Sequence, residues 1–246
     1  MLIFLKRLHL YCYILSVSIL FCLLYPFFYY YSRKSERYPV LNMFRYYFAL
    51  LSSGFAGFFY RFHIEKKIDW SKTYIICPNH FSNLDISIGS LIVKSNYAFM
   101  GKEELASHPI FKLFFKSIDI PVNRHSKMSS FRAFMRAEEY LEQGISLVIF
   151  PEGKIGDEYP PLLNSFKNGP FRLAIKHKIP IIPVTIVNAW QKLWDDGLKY
   201  GSRPGICDIC IHKPIETHDL TIADTDNLRD QVYKIIDSEL KKNETQ

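Results

Sequence analysis

The sequence predicts an α/β protein: a mixed, partly parallel sheet flanked by helices, carried on an N-terminal two-helix membrane anchor. Three observations predict it. From residue 73 onward, short apolar runs alternate with helix-period segments, the pattern of strands joined by crossover helices. Residues 10–32 hold no fixed charge; as a helix they would reach about 35 Å, against a hydrocarbon core of about 30 Å. A second aromatic-rich stretch, 40–62, contains only Arg45 and Arg61 as charges. The 246 residues therefore divide into an anchor, 1–65, and an α/β domain, 66–246.

The first helix is flanked by Lys6 and Arg7 before it and by Arg33, Lys34 and Arg37 after it. Basic residues on both sides leave its orientation open under the positive-inside rule. Pro26 and the run from Phe27 to Tyr31 read as an interfacial belt. A signal peptide is the competing reading, but the apolar region is too long and lacks a small-residue cleavage site. In the second helix Ser52, Ser53, Gly54 and Gly57 permit close packing against the first. The polar segment 63–73 then leads into the domain. Strands are predicted over 73–77, 97–100, 118–122, 146–150, 181–187 and 207–211, and helices over 84–94, 103–115, 129–143, 169–178 and 228–241. The helix over 129–143 is the best marked. Ser129 or Ser130 caps it, Phe131, Phe134, Met135 and Leu141 recur on one face, and Gly144 ends it. Pro180 and Pro183 mark the run 179–184 as an edge or irregular strand.

Composition narrows the partners. A formal charge of +7 points to an anionic partner; the anchor favours a membrane surface, and no nucleic-acid module is visible. The five cysteines make no disulfide framework. Cys207 and Cys210, three apart on a strand, face opposite sides and would not converge on a metal. Free cysteines beside an anchor place the domain on the cytoplasmic face of the inner (cell) membrane.

Chemistry concentrates in a few blocks. In 77-CPNHFSNLD-85, Asn79, Ser82 and Asn83 are good cap residues, and Asp85 suits the first turn of a helix. Capping leaves His80 unexplained. A histidine at a strand end, with a carboxylate one turn into the next helix, can form a base and its orienter. The residues alone leave both readings open. No GxSxG elbow occurs, so such a base would activate a substrate hydroxyl directly. The block 150-FPEGK-154 ends a strand, where open α/β sheets present ligand sites; an ordinary polar turn is the alternative. Lys102 and Arg124 follow two other strands, either as a solvated basic face or as a phosphate clamp.

Taken in order, these blocks resemble the lysophosphatidic acid acyltransferase (PlsC-like) family of glycerolipid acyltransferases. Its NHxxxxD block is matched by Asn79, His80 and Asp85, and its basic block by the residues from Ile120 to Arg124. FPEG is matched by Phe150, Pro151, Glu152 and Gly153, and the following proline-rich strand by Ile179 to Val184. The resemblance covers about residues 70–190. It implies transfer of a fatty acyl group from acyl-CoA or acyl carrier protein to the hydroxyl of lysophosphatidic acid. His80 would be the general base and Asp85 its support, and Arg124, Lys154 and Lys102 would hold phosphate. Glu152 would orient those cations or an acceptor hydroxyl, and backbone N–H groups of 79–82 or of Gly153 would steady the oxyanion. It implies no cofactor and no metal. The chain departs from the family after FPEG, where Lys154 and Ile155 replace a hydroxyl residue and an arginine. That departure bears on the acceptor: glycerol-3-phosphate, a lyso-aminolipid, or a non-catalytic lipid-binding role are the rival readings.

Overall fold

The computed structural model describes residues 1–123 and 126–244. Seven strands form one sheet: β1 (Phe58–Ile64), β2 (Ile75–Pro78), β3 (Tyr97–Lys102), β4 (Ile120–Val122), β5 (Ser146–Ile149), β6 (Ile181–Ile186) and β7 (Gly205–Ile211). Their spatial order is β1-β7-β6-β2-β5-β3-β4. The five from β6 to β4 are mutually parallel; β7 pairs antiparallel with β6, and β1 runs parallel to β7. The sheet is thus mixed and mostly parallel, as the alternation of strands and helices predicts.

Helices cover it: α1 (Leu2–Ser32), α2 (Tyr38–Phe55), α3 (Asp85–Ile92), α4 (Lys112–Phe115), α5 (Lys127–Glu142), α6 (Gly169–His177), α7 (Gly197–Tyr200) and α8 (Thr225–Glu244). Successive strand residues serve opposite faces. Ile75, Cys77, Leu147 and Ile149 pack with Ala137, Phe171 and Val232 from the helices of one face. Ile76, Val148 and Ile182 pack with Leu84 and Ile88 of α3 on the other.

The anchor differs from its sequence reading. Among the described residues α1 alone is long and apolar enough to cross a membrane, and it leaves Phe4, Leu15, Leu23 and Phe27 exposed. α2 instead buries Leu41, Arg45, Ala49 and Ser53, and its Asn42 amide donates to the Tyr97 carbonyl at 2.9 Å. A two-helix anchor is therefore not what α2 displays. Residues 58–64, whose aromatic content reads as more anchor, form β1, with register Phe58 to Gly205 and Ile64 to Ile211.

Three local expectations also change. The helix predicted over 103–115 is a 3-10 turn (Glu103–Ser107) followed by α4; Pro109 between them lacks an N–H and disfavours helix at the residue before it. α5 is capped by Ser126, whose hydroxyl accepts from the Ser129 N–H at 3.2 Å, so it starts two residues before the predicted span. β6 is central rather than an edge. Pro183 fits because β7 has ended opposite it: the His212 N–H donates to the Pro183 carbonyl at 3.1 Å, and only the return bond of that pair is missing.

Candidate active site

Parallel neighbours present their C-terminal ends at one edge of a sheet, the usual place for ligands in open α/β folds. Here β2 leads to His80, β5 to Glu152 and Lys154, and β3 ends on Lys102. Arg124, which follows β4, lies outside the described residues. The blocks ending in His80, Lys154 and Lys102 therefore meet because β2, β5 and β3 are adjacent.

His80 is held from three sides. Its Nδ1 lies 2.9 Å from Asp85 Oδ2, its ring stacks on Phe150 at 4.1 Å between centroids, and its backbone N–H donates to Glu152 Oε1 at 2.6 Å. Asp85 is wholly buried at the start of α3. Its Oδ2 also accepts from the N–H groups of Phe81 and Ser82, both at 2.8 Å. Its Oδ1 has no partner among the described residues. Burial pushes the Asp85 carboxyl above its ordinary range, while the bonds and charge of His80 and the N–H groups of Ser82 and Phe81 oppose that shift. With Nδ1 committed to Asp85, Nε2 is the nitrogen left for a proton in transit.

The cap residues support this arrangement without capping α3 directly. Ser82 Oγ accepts from the Leu84 N–H at 3.0 Å. Asn79 clamps the end of β6, donating to the Ile186 carbonyl at 3.1 Å and accepting from its N–H at 2.6 Å. Asn83 donates to the Asp195 carbonyl at 3.2 Å. The turn that starts α3 is the turn that aims Asp85 at His80.

Glu152 makes its hydrogen bonds within the fold. It is 3% exposed, and its Oε2 accepts from the backbone N–H and the side-chain amide of Asn164, each at 2.9 Å. It is a strut tying the His80 turn to the 163–167 segment. Burial pushes its carboxyl up to about 7. The oxyanion donors expected from 79–82 and Gly153 are also occupied. Asn79 N–H donates to Val184, Gly153 N–H to Phe150 at 3.0 Å, and those of His80, Phe81 and Ser82 to carboxylates. Gly153 contributes conformation instead, at φ +82°, where a side chain would be strained.

Lys102 and Lys154 are half-exposed and lie on the wall of a cavity of about 490 Å³ that His80 also lines. Lys154 Nζ sits 2.7 Å from Asp157 and Lys102 Nζ 3.4 Å from Glu104. Away from these cations much of the wall is aromatic, with Phe48, Phe99, Phe111, Phe114 and Phe115. Sequence reasoning missed this lining, along with Tyr13 and Val17 from α1, Phe150 under His80, and Asn164. It also missed the buried pair Arg45–Asp119, 3.0 Å apart, which lines the cavity. Asp119 Oδ1 accepts from the Phe99 N–H at 2.9 Å. Among the described residues no cluster of three or more metal-ligating side chains occurs.

The site thus pairs a histidine with a buried carboxylate at the edge of a parallel sheet, on a largely apolar chamber. The Acyltransferase family model matches residues 60–187, and the chain belongs to that family. An uncharacterized acyltransferase of Schizosaccharomyces pombe is 27% identical over 196 residues, covering 78% of this chain and 69% of that protein. A putative 1-acyl-sn-glycerol-3-phosphate acyltransferase of Caenorhabditis elegans is 32% identical over 168 residues, covering 66% and 57%. The Mus musculus 1-acyl-sn-glycerol-3-phosphate acyltransferase alpha is 26% identical over 165 residues, covering 66% and 56%. The chain thus spans between 56% and 69% of the length of these relatives. The crystal structure of the 1-acyl-sn-glycerophosphate acyltransferase PlsC from Thermotoga maritima superposes with a TM-score of 0.80 at 20% identity, over 99% of this chain and 97% of that one. That likeness establishes the fold.

Proposed function

We propose that this acyltransferase moves a fatty acyl group from a thioester to the free hydroxyl of lysophosphatidic acid, giving phosphatidic acid. The observation that carries the reading is His80, with Nδ1 held by buried Asp85 and its ring on the wall of an apolar cavity of about 490 Å³. That volume lies within the range of about 300–1,000 Å³ typical of small-molecule sites. The names of the relatives from Caenorhabditis elegans and Mus musculus support the acceptor.

In this reading His80 Nε2 takes the hydroxyl proton as the oxygen attacks the thioester carbonyl. Asp85 stabilises the imidazolium so formed. The tetrahedral intermediate collapses, the C–S bond breaks, and the imidazolium returns its proton to the leaving thiolate. No acyl-enzyme forms. Acyl-CoA or acyl carrier protein is the donor, and the apolar walls receive the acyl chain. Lys102 and Lys154 hold the acceptor phosphate, Lys154 by exchanging Asp157 for it, with Arg124 as a third cation. The thioester is reactive enough for this attack to need no metal or cofactor. α1 sits in the membrane with the catalytic domain on the cytoplasmic face, and the outer side of α2 meets the same lipid.

The test is incubation of detergent-purified protein with a labelled acyl thioester and a panel of acceptors: lysophosphatidic acid, glycerol-3-phosphate and a lyso-aminolipid. Labelled phosphatidic acid as the dominant product is expected. A dominant product from either other acceptor would replace the substrate assignment, and no thioester consumption with any acceptor would overturn the reading.

A further inference from the structure

A second recess lies outside the catalytic cavity, where the first turns of α1 meet the segment between β6 and β7. Lys6, Lys192 and Arg203 line it, with Trp190, Trp194 and Tyr200 around them. Its volume of about 20 Å³ is room for one water-sized group, such as one oxygen of a larger anion.

The recess is built by the backbone. The Ser202 N–H donates to the Lys6 carbonyl at 2.9 Å, and the Arg203 N–H to the Lys192 carbonyl at 2.9 Å. Leu193 pairs with Ser202 in a short antiparallel bridge. Arg203 Nε donates to the Gln191 carbonyl at 2.8 Å, fixing the guanidinium stem. Gly201, at φ +70°, lies so close to Lys6 that any Cβ there would meet both its side chain and its backbone.

Cations gathered this way repel one another unless an anion joins them. Among the described residues none of Lys6, Lys192 or Arg203 makes an ion pair. Asp208, whose charge reaches Lys192, is instead engaged by Arg61 at 3.3 Å and by Asn188 at 2.9 Å. Burial and the Arg203 charge push the Lys192 amine below its ordinary range. Trp194, only 7% exposed, carries an indole N–H with no acceptor, which a native structure rarely leaves so. Lys192 and Arg203 thus line the recess without an ion-pair partner among the described residues, and the Trp194 indole N–H lies beside them without an acceptor.

We propose that this recess binds a phosphate group other than the one on the acceptor, carried either by CoA or by a phospholipid headgroup. The recess adjoins the catalytic cavity through two loops. Trp194 precedes Asp195, and Tyr159, which also lines the recess, stands two residues after Asp157; both aspartates line the cavity. A donor phosphate is one source, and that source rests on the acyl-transfer reading. The headgroup source does not, since Lys6 belongs to the apolar helix α1.

The test compares wild type with K192Q/R203Q and with K66Q/K67Q, which removes the same charge from the exposed segment before β2. Full-length protein in neutral detergent is titrated with CoA, and separately co-sedimented with phosphatidylcholine vesicles with and without phosphatidylglycerol. K192Q/R203Q should weaken one of these by about tenfold, with K66Q/K67Q near wild type. Loss in the CoA titration assigns the donor; loss of phosphatidylglycerol-dependent sedimentation assigns the headgroup. The single variants K192Q and R203Q should each show part of the loss, so the result does not hang on the double variant folding. No change in either arm, or an equal loss in K66Q/K67Q, overturns the proposal. Recess-dependent binding by a chain that transfers no acyl group would sink the proposed function and leave the recess standing.

Discussion

Replacing Asp85 with asparagine removes the charge behind His80 and almost nothing of its shape. Oδ2 accepts three bonds, from His80 Nδ1 and from the N–H groups of Phe81 and Ser82. The asparagine oxygen must take that place, because an NH₂ group there would face three donors. Its Nδ2 then occupies the position of Oδ1, which is buried and without a partner among the described residues. The neutral imidazole keeps its tautomer, but the imidazolium of the transition state loses its counter-charge. Two unit charges about 4 Å apart at an effective dielectric near 20 interact by roughly 4 kcal/mol. The hydrogen bond to a neutral amide retains about half of a charge-assisted one, leaving a loss of about 2–3 kcal/mol. Asp85→Asn should therefore lower kcat by about 30- to 150-fold, with KM for either substrate nearly unchanged. Stability should fall by about 1–3 kcal/mol for the buried, unsatisfied amide. Initial rates with labelled acyl-CoA and lysophosphatidic acid in mixed micelles measure the first effect, and chemical denaturation the second. A folded variant with kcat within about threefold of wild type would show that Asp85 does not support a protonated His80.

Three other perturbations follow from the same geometry. Burial raises the Glu152 carboxyl from 4.5 to about 7, so the folded chain binds that proton more tightly than the unfolded one. Its contribution to stability is full below about pH 4.5 and declines by up to roughly 3 kcal/mol as pH rises to about 7. Glu152→Gln should flatten that part of the profile in denaturant titrations across pH, and an unchanged slope would rule the assignment out. Lys154→Ala should raise KM for lysophosphatidic acid about fivefold, the worth of an exposed ion pair near 1 kcal/mol, with kcat little altered; an unchanged KM would remove Lys154 from phosphate binding. Asp119→Ala leaves Arg45 buried and unpaired and should destabilise the fold by about 3–5 kcal/mol. Arg45→Met in the same chain should recover much of that, and a double variant no more stable than Asp119→Ala alone would refute the pairing.

What the sequence made legible was local. His80 and Asp85 are five residues apart and share one turn, so their types and spacing carry most of their geometry. The α/β class was legible too, because strand and helix periods alternate cleanly after residue 73. Contacts between distant segments were not. Glu152 reads as a ligand group until Asn164 and the His80 N–H take both its oxygens. Arg45 reads as a stray charge in an apolar helix until Asp119, 74 positions away, is placed beside it. Phe58 to Ile64 resembles anchor because a parallel edge strand and an interfacial segment draw on the same aromatic residues; only the pairing with β7 distinguishes them. Pro183 signals an edge by its missing N–H, and nothing local reveals that β7 ends opposite it.

The most direct test of the central claim is turnover by purified, membrane-associated His80→Ala. If His80 removes the hydroxyl proton with no acyl-enzyme, the variant should fold, keep its membrane association and lose acyl transfer to lysophosphatidic acid by about 10²–10⁴-fold. Near wild-type formation of labelled phosphatidic acid by that variant would contradict the account.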